Sequence, residues 1–134
     1  MALVADLPDE PGTPIAGHVM ISGTELVADD GARVTILMLS PLGVLPARQG
    51  RGIGAALTRA ALDIADARDE PLVVVQGHPG YYPRFGFVPG RTIGVLPPEH
   101  LGAIDRAWMA RRRPGGDPTV RGRVTYPPAF LDLD

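Results

Sequence analysis

The apolar residues of this chain change period along its length, and those changes predict its elements. Ala2–Asp6 reads as a short strand and Leu7–Pro14 as a polar turn. Ile15–Ser22 (IAGHVMIS) alternates apolar with polar, the period of a strand with one buried face, and Glu25–Val27 is placed to extend it. Ala28–Arg33 (ADDGAR) carries Asp-Gly turn chemistry between two apolar runs and predicts a hairpin. Val34–Pro46 is a long apolar run with a proline inside it. Proline cannot donate to a strand ladder, so Ser40-Pro41 predicts an interruption or a bulge.

From Gly52 to Arg68 the period becomes helical. Ile53, Leu57, Ala60, Ala61 and Ile64 fall on one face, with Arg59, Asp63, Asp66 and Arg68 on the other. Pro71–Gly77 (PLVVVQG) is then apolar without alternation, as in a strand buried on both faces of a parallel pair. Strand, helix, strand in that order is a βαβ unit. Residues 78–87 (HPGYYPRFGF) are aromatic and rich in turn formers, with room for one short helix. Ala107–Arg113 and Val120–Tyr126 read as further strands, and no internal repeat or low-complexity tail is visible. The 134 residues are the length of one α/β domain, residues 1–134, able to bury a real core.

Composition narrows the chemistry. The chain has no cysteine, which removes disulfides, thiolate metal sites and a cysteine nucleophile. The net charge of −2 draws the chain to neither nucleic acid nor membrane. No apolar stretch approaches the ~18 residues of a membrane span, and the start MALVADLPDEPG carries no basic leader, so a cytoplasmic location is expected. All 13 basic residues are arginine, which reads as coding bias rather than function.

Against that background Val44–Leu57 (VLPARQGRGIGAAL) stands out, with glycine and positive charge concentrated where a strand runs into a helix. The first N–H groups of a helix have no partner within it, and the macrodipole adds positive potential there. An anion such as a phosphate fits that position, and Gly50, Gly52 and Gly54 would let it approach the backbone. Read structurally, the same residues make a tight turn flanked by surface arginines. The Walker phosphate loop is excluded because the chain has no lysine. Gly50-x-Gly52-x-x-Ala55 fits the loose dinucleotide fingerprint, but that pattern wants a carboxylate about 20 positions on, and the next strand ends Val75-Gln76-Gly77 without one.

The whole segment LGVLPARQGRGIGAALTRAAL resembles the acyl-coenzyme A binding segment of the GNAT superfamily of acetyltransferases, whose Gln/Arg-x-x-Gly-x-Gly/Ala hallmark is matched by Gln49, Gly52 and Gly54. YYPRFGF resembles the family's later Tyr-x-x-x-Gly-Phe motif through Tyr82, Gly86 and Phe87, and the ending GRVTYPPAF resembles a branch of small bacterial N-acetyltransferases. The resemblance runs from about Leu3 to Phe130. It implies a mixed, mostly antiparallel sheet with a central βαβ unit that binds acyl-CoA. It also implies direct transfer of an acetyl group from acetyl-CoA to an amine, with no metal and no acyl-enzyme.

Carried onto this chain, the resemblance puts the pyrophosphate of acetyl-CoA on Gln49, Gly50, Arg51, Gly52, Ile53 and Gly54. It places the pantetheine arm along Leu42, Gly43 and Val44, past a bulge, with the Val44 N–H matched to the tetrahedral oxyanion. Tyr82 matches the general acid for the leaving thiolate, since a phenol can donate a proton without being charged. Tyr81 is a weaker match, and Arg84 is a candidate for lying near the cofactor. The general base is not visible: Val34–Val44 holds no carboxylate, leaving His18, Glu25, His78 or a water chain. Arg111-Arg112-Arg113 reads as a solvated strand end or an acidic-substrate contact rather than a nucleic-acid patch.

The family normally begins with a strand and two helices ahead of the segment matched here by Ala2–Ser22. In the family those helices wall the acceptor pocket. The chain is therefore read as a fragment, a mis-assigned start, or a minimal member whose acceptor wall comes from another subunit, the last of which predicts a homo-oligomer that covers the exposed edge. The missing elements also motivate an alternative, a non-catalytic acyl-CoA-binding or regulatory module. The acceptor is open among small amines, amino acids, antibiotics and protein N-termini.

Overall fold

The structure, a computed structural model, describes residues 2–5, 17–40, 43–44, 53–77, 79–99 and 107–125. These residues form nine strands and one α-helix. The strands are β1 (Ala2–Ala5), β2 (Gly17–Val27), β3 (Arg33–Leu39), β4 (Gly43–Val44), β5 (Leu72–Gln76), β6 (Val88–Pro89), β7 (Val95–Leu96), β8 (Trp108–Arg112) and β9 (Gly122–Thr125). The helix α1 spans Ile53–Asp66, and 3-10 turns cover Tyr82–Phe85 and Gly90–Ile93. The sheet order is β6-β8-β5-β3-β2-β9-β7, with β1 and β4 pairing the first part of β2. All pairings are antiparallel except β3 with β5 and β7 with β9. The mixed sheet with a central β3–α1–β5 unit agrees with the sequence pattern.

The two sheet faces bury separate clusters because side chains alternate along each strand. Val19, Ile21, Leu37, Leu39, Val73 and Val75 face α1 and the Tyr82 turn. Leu26, Ile36, Leu72, Val74 and Val124 face the other way, onto Trp108. β5 supplies both clusters, which is why its apolar run is unbroken. Helix α1 buries Leu57, Thr58, Ala61, Leu62 and Ala65. Its inward stripe is therefore rotated from the one expected: Ala60 is exposed and Ile64 only partly buried. Alanine is small enough to sit on either side, so Ala60 carried no directional information.

The register changes where an interruption or bulge is expected. Ile21 pairs with Leu39, and His18 with Gly43, so three steps along β2 match four along the partner. Pro41 itself lies outside the described residues. The parallel pairing of β3 with β5 ends at Leu39 and Val75, so the two central strands part at this point.

Arginines fasten the rest. Arg111 makes a bidentate pair with Asp66 of α1, at 2.7 and 3.0 Å, and its Nε donates to the Phe85 carbonyl at 2.9 Å. Arg112 donates to the carbonyls of Val120 and Ile93. These guanidiniums join helix, turn and strand. This corrects the reading of the arginine run as a solvated strand end or substrate contact. Among the described residues, no helix is long and apolar enough to cross a membrane.

Candidate functional site

The place where β3 and β5 separate gathers several of the residues picked out in the sequence. Gly43 and Val44 form β4, which pairs β2 on one edge. Among the described residues no strand pairs its other edge. Ile53 and Gly54 are the first two residues of the 14-residue helix α1, where backbone N–H groups lack intrahelical partners. Leu42, Gln49, Gly50, Arg51 and Gly52 lie outside the described residues, as does His78.

Tyr82 opens the first 3-10 turn and is 5% exposed. It belongs to the same buried cluster as Leu39 and Val75, the last residues paired before the strands part. Pro83 suits the first turn of a helical segment, and Gly86 ends it in the left-handed conformation at φ 90°. The Tyr82 ring stands edge-on to Tyr81 at 5.1 Å and to Phe87 at 5.5 Å between centroids. Its Cδ2–Cε2–Cζ edge lies against Gly77, one residue past β5. Among the described residues its hydroxyl meets no hydrogen-bond partner. Burial, with a smaller contribution from neighbouring Tyr81, raises its pKa above the ordinary phenol value. The group is thus neutral at physiological pH.

The other candidates fall differently. Arg84 stacks over the Tyr81 ring at 4.7 Å and its Nε donates to the Tyr81 carbonyl at 2.9 Å, so it braces the turn. Tyr81 is packed between Tyr82 and Phe85. Glu25 sits near the hairpin end of β2, half-buried and paired with Arg33 at 3.2 Å. Seven strand steps separate it from His18, roughly 20 Å, which removes it as a base for chemistry at Gly43–Val44. His18 lies opposite Gly43 in the ladder, at the parting itself. Among the described residues no group of three or more His, Asp or Glu side chains could hold a metal ion. Clefts of about 340 and 490 Å³ open at the far end of the sheet, around Thr119 and Arg121, away from Tyr82. Gly77 was not singled out in the sequence; a lone glycine after a strand gives no sign of what it touches.

The comparisons with known proteins agree with this geometry. No family-level sequence profile matches the chain. Over 52 residues it is 42% identical to an uncharacterized N-acetyltransferase, YjhQ, of Escherichia coli K12, a match covering 39% of this chain and 29% of that protein. The fold matches the GNAT family N-acetyltransferase YhbS from Escherichia coli, solved with CoA, at a TM-score of 0.82 and 24% identity, over 99% of this chain and 70% of that one. A GNAT family acetyltransferase from Brucella melitensis, solved with acetyl-CoA, is 30% identical, with a TM-score of 0.68, over 96% of this chain and 67% of that one. The chain belongs to the GNAT family.

Proposed function

We propose that this chain transfers an acetyl group from acetyl-CoA to an amine. The observation that carries the reading is the parted strand pair with a neutral phenol beside it. The free edge of Gly43–Val44 can take an extended chain bearing amide groups, in the manner of an added strand. The pantetheine arm of acetyl-CoA is such a chain. The start of α1, with the glycine and arginine residues that precede it in sequence, suits the pyrophosphate. The relatives solved with CoA and with acetyl-CoA support the choice of donor.

In the reaction the amine nitrogen bonds to the thioester carbonyl carbon and the carbon–sulfur bond breaks. The departing sulfur takes a proton, and the nitrogen loses one. The Val44 N–H is our candidate to stabilise the oxyanion, and the Tyr82 hydroxyl our candidate to donate to sulfur. His18, opposite Gly43, is the remaining described candidate for taking the amine proton, directly or through water. Acetyl-CoA use fits a cytoplasmic protein.

Calorimetric titration of the full chain with acetyl-CoA, beside dephospho-CoA and NADH, tests the reading. We expect micromolar binding of acetyl-CoA and none of NADH. No heat with acetyl-CoA would remove the donor and the reading with it.

A further inference from the structure

We propose that Gly77 is a positioning residue for the Tyr82 hydroxyl, acting by leaving out a side chain where the ring lies. For its kinetic consequence the inference rests on the acid role proposed for Tyr82; its geometry stands apart from that role.

Gly77 is not required by its backbone. It is absent from the positive-φ glycines, unlike Gly86 and Gly94. Its N–H donates to the Ala107 carbonyl at 2.8 Å, carrying the β5–β8 pairing one step past Gln76, and any residue but proline could make that bond. What excludes a side chain is the ring. A Cβ built on Gly77 would fall on Tyr82 Cε2, and lie 2.9 Å from Cδ2 and 3.2 Å from Cζ, the carbon that bears the hydroxyl. All three nearest atoms belong to Tyr82.

Packing places the ring: Tyr81 and Phe87 stand at steep angles to it, and Gly77 lies against the edge formed by Cδ2, Cε2 and Cζ. A methyl at residue 77 would push the ring away along the side that carries the oxygen. A displacement near 1 Å of a reacting group costs on the order of 10²-fold in rate.

Tyrosinate absorbance titrations of the wild type, Gly77→Ala and Tyr82→Phe need no turnover, and differences among them isolate the Tyr82 curve. We expect Gly77→Ala to move that curve down toward the ordinary phenol value, because the displaced ring gains water. In turnover with acetyl-CoA, Gly77→Ala should lower kcat on the order of 10²-fold with little change in Kd for acetyl-CoA, and have no further effect in the Tyr82→Phe background. An unchanged Tyr82 curve, or an equal loss in both backgrounds, overturns the proposal. If Tyr82→Phe leaves kcat intact, the acid role fails, while the titration still decides the place of Gly77. Should Gly77→Ala not fold, Gly77→Ala/Tyr82→Ala decides: recovery of folding supports the proposal, and failure to recover overturns it.

Discussion

Trp108 and Tyr82 are both buried aromatics that carry a polar atom, and both lie against a glycine. A Cβ at Gly90 would come within 2.5 Å of Trp108 Cδ1, as one at Gly77 would strike the Tyr82 ring. The difference is in the polar atom. Trp108 Nε1 donates to the Val95 carbonyl at 2.9 Å, which pins the short strand β7 to the second cluster. The Tyr82 hydroxyl donates to nothing described. The indole N–H is satisfied inside the protein and reads as architecture, while the phenol oxygen has no partner among the described residues and is open to another use. The same pocket-plus-glycine device therefore serves structure on one face of the sheet and, in our reading, chemistry on the other.

Truncation should separate the two most sharply. Trp108→Ala removes the largest side chain of its cluster together with its hydrogen bond, and should cost about 3–5 kcal/mol in denaturant unfolding. A loss below about 1 kcal/mol would mean that the second cluster does not hold the sheet.

A smaller effect comes from alkaline pH, where only one of the two aromatics titrates. The Tyr82 pKa is raised in the folded chain, from the ordinary 10.0, by burial first and Tyr81 second. Above that ordinary value the unfolded chain has released the proton while the folded chain retains it, so stability must fall as pH rises. Below it both states are protonated and Tyr82 adds no pH dependence. Urea midpoints across pH 8–11 should therefore decline more steeply in the wild type than in Tyr82→Phe; parallel declines would mean that the folded environment does not bury the phenol.

Much of this arrangement was legible in the sequence, and the misses share a physical cause. The pattern of the apolar residues located α1 and every strand of four residues or more. Pro41 marked the change of register through its missing N–H, and the unbroken run Leu72–Val75 marked the parallel strand. The two-residue strands β6 and β7 were not visible, since two residues carry no period. Glu25 looked eligible as a base because distance along a strand from the parting point is a matter of register, settled only when β2 pairs β3 and β4. Arg111 and Arg112 looked solvated because a guanidinium's partners, Asp66 and the carbonyls of Phe85, Val120 and Ile93, are distant in sequence. Tyr82 was found through its motif, but its contact with Gly77 appears only once the chain is folded. Leu42 and Gln49–Gly52, the heart of the glycine motif, lie outside the described residues and keep the role their pattern proposes.

The central claim is that Tyr82 keeps its proton for the leaving sulfur. Release of free CoA thiol from acetyl-CoA, with spermidine, lysine and a peptide N-terminus as trial acceptors, can be followed for the wild type and Tyr82→Phe. The account predicts a kcat lower by about 10²-fold or more in Tyr82→Phe, with acetyl-CoA affinity and unfolding midpoint almost unchanged. Equal turnover by the two proteins would contradict it and return Tyr82 to the role that Trp108 plays, a ring that packs.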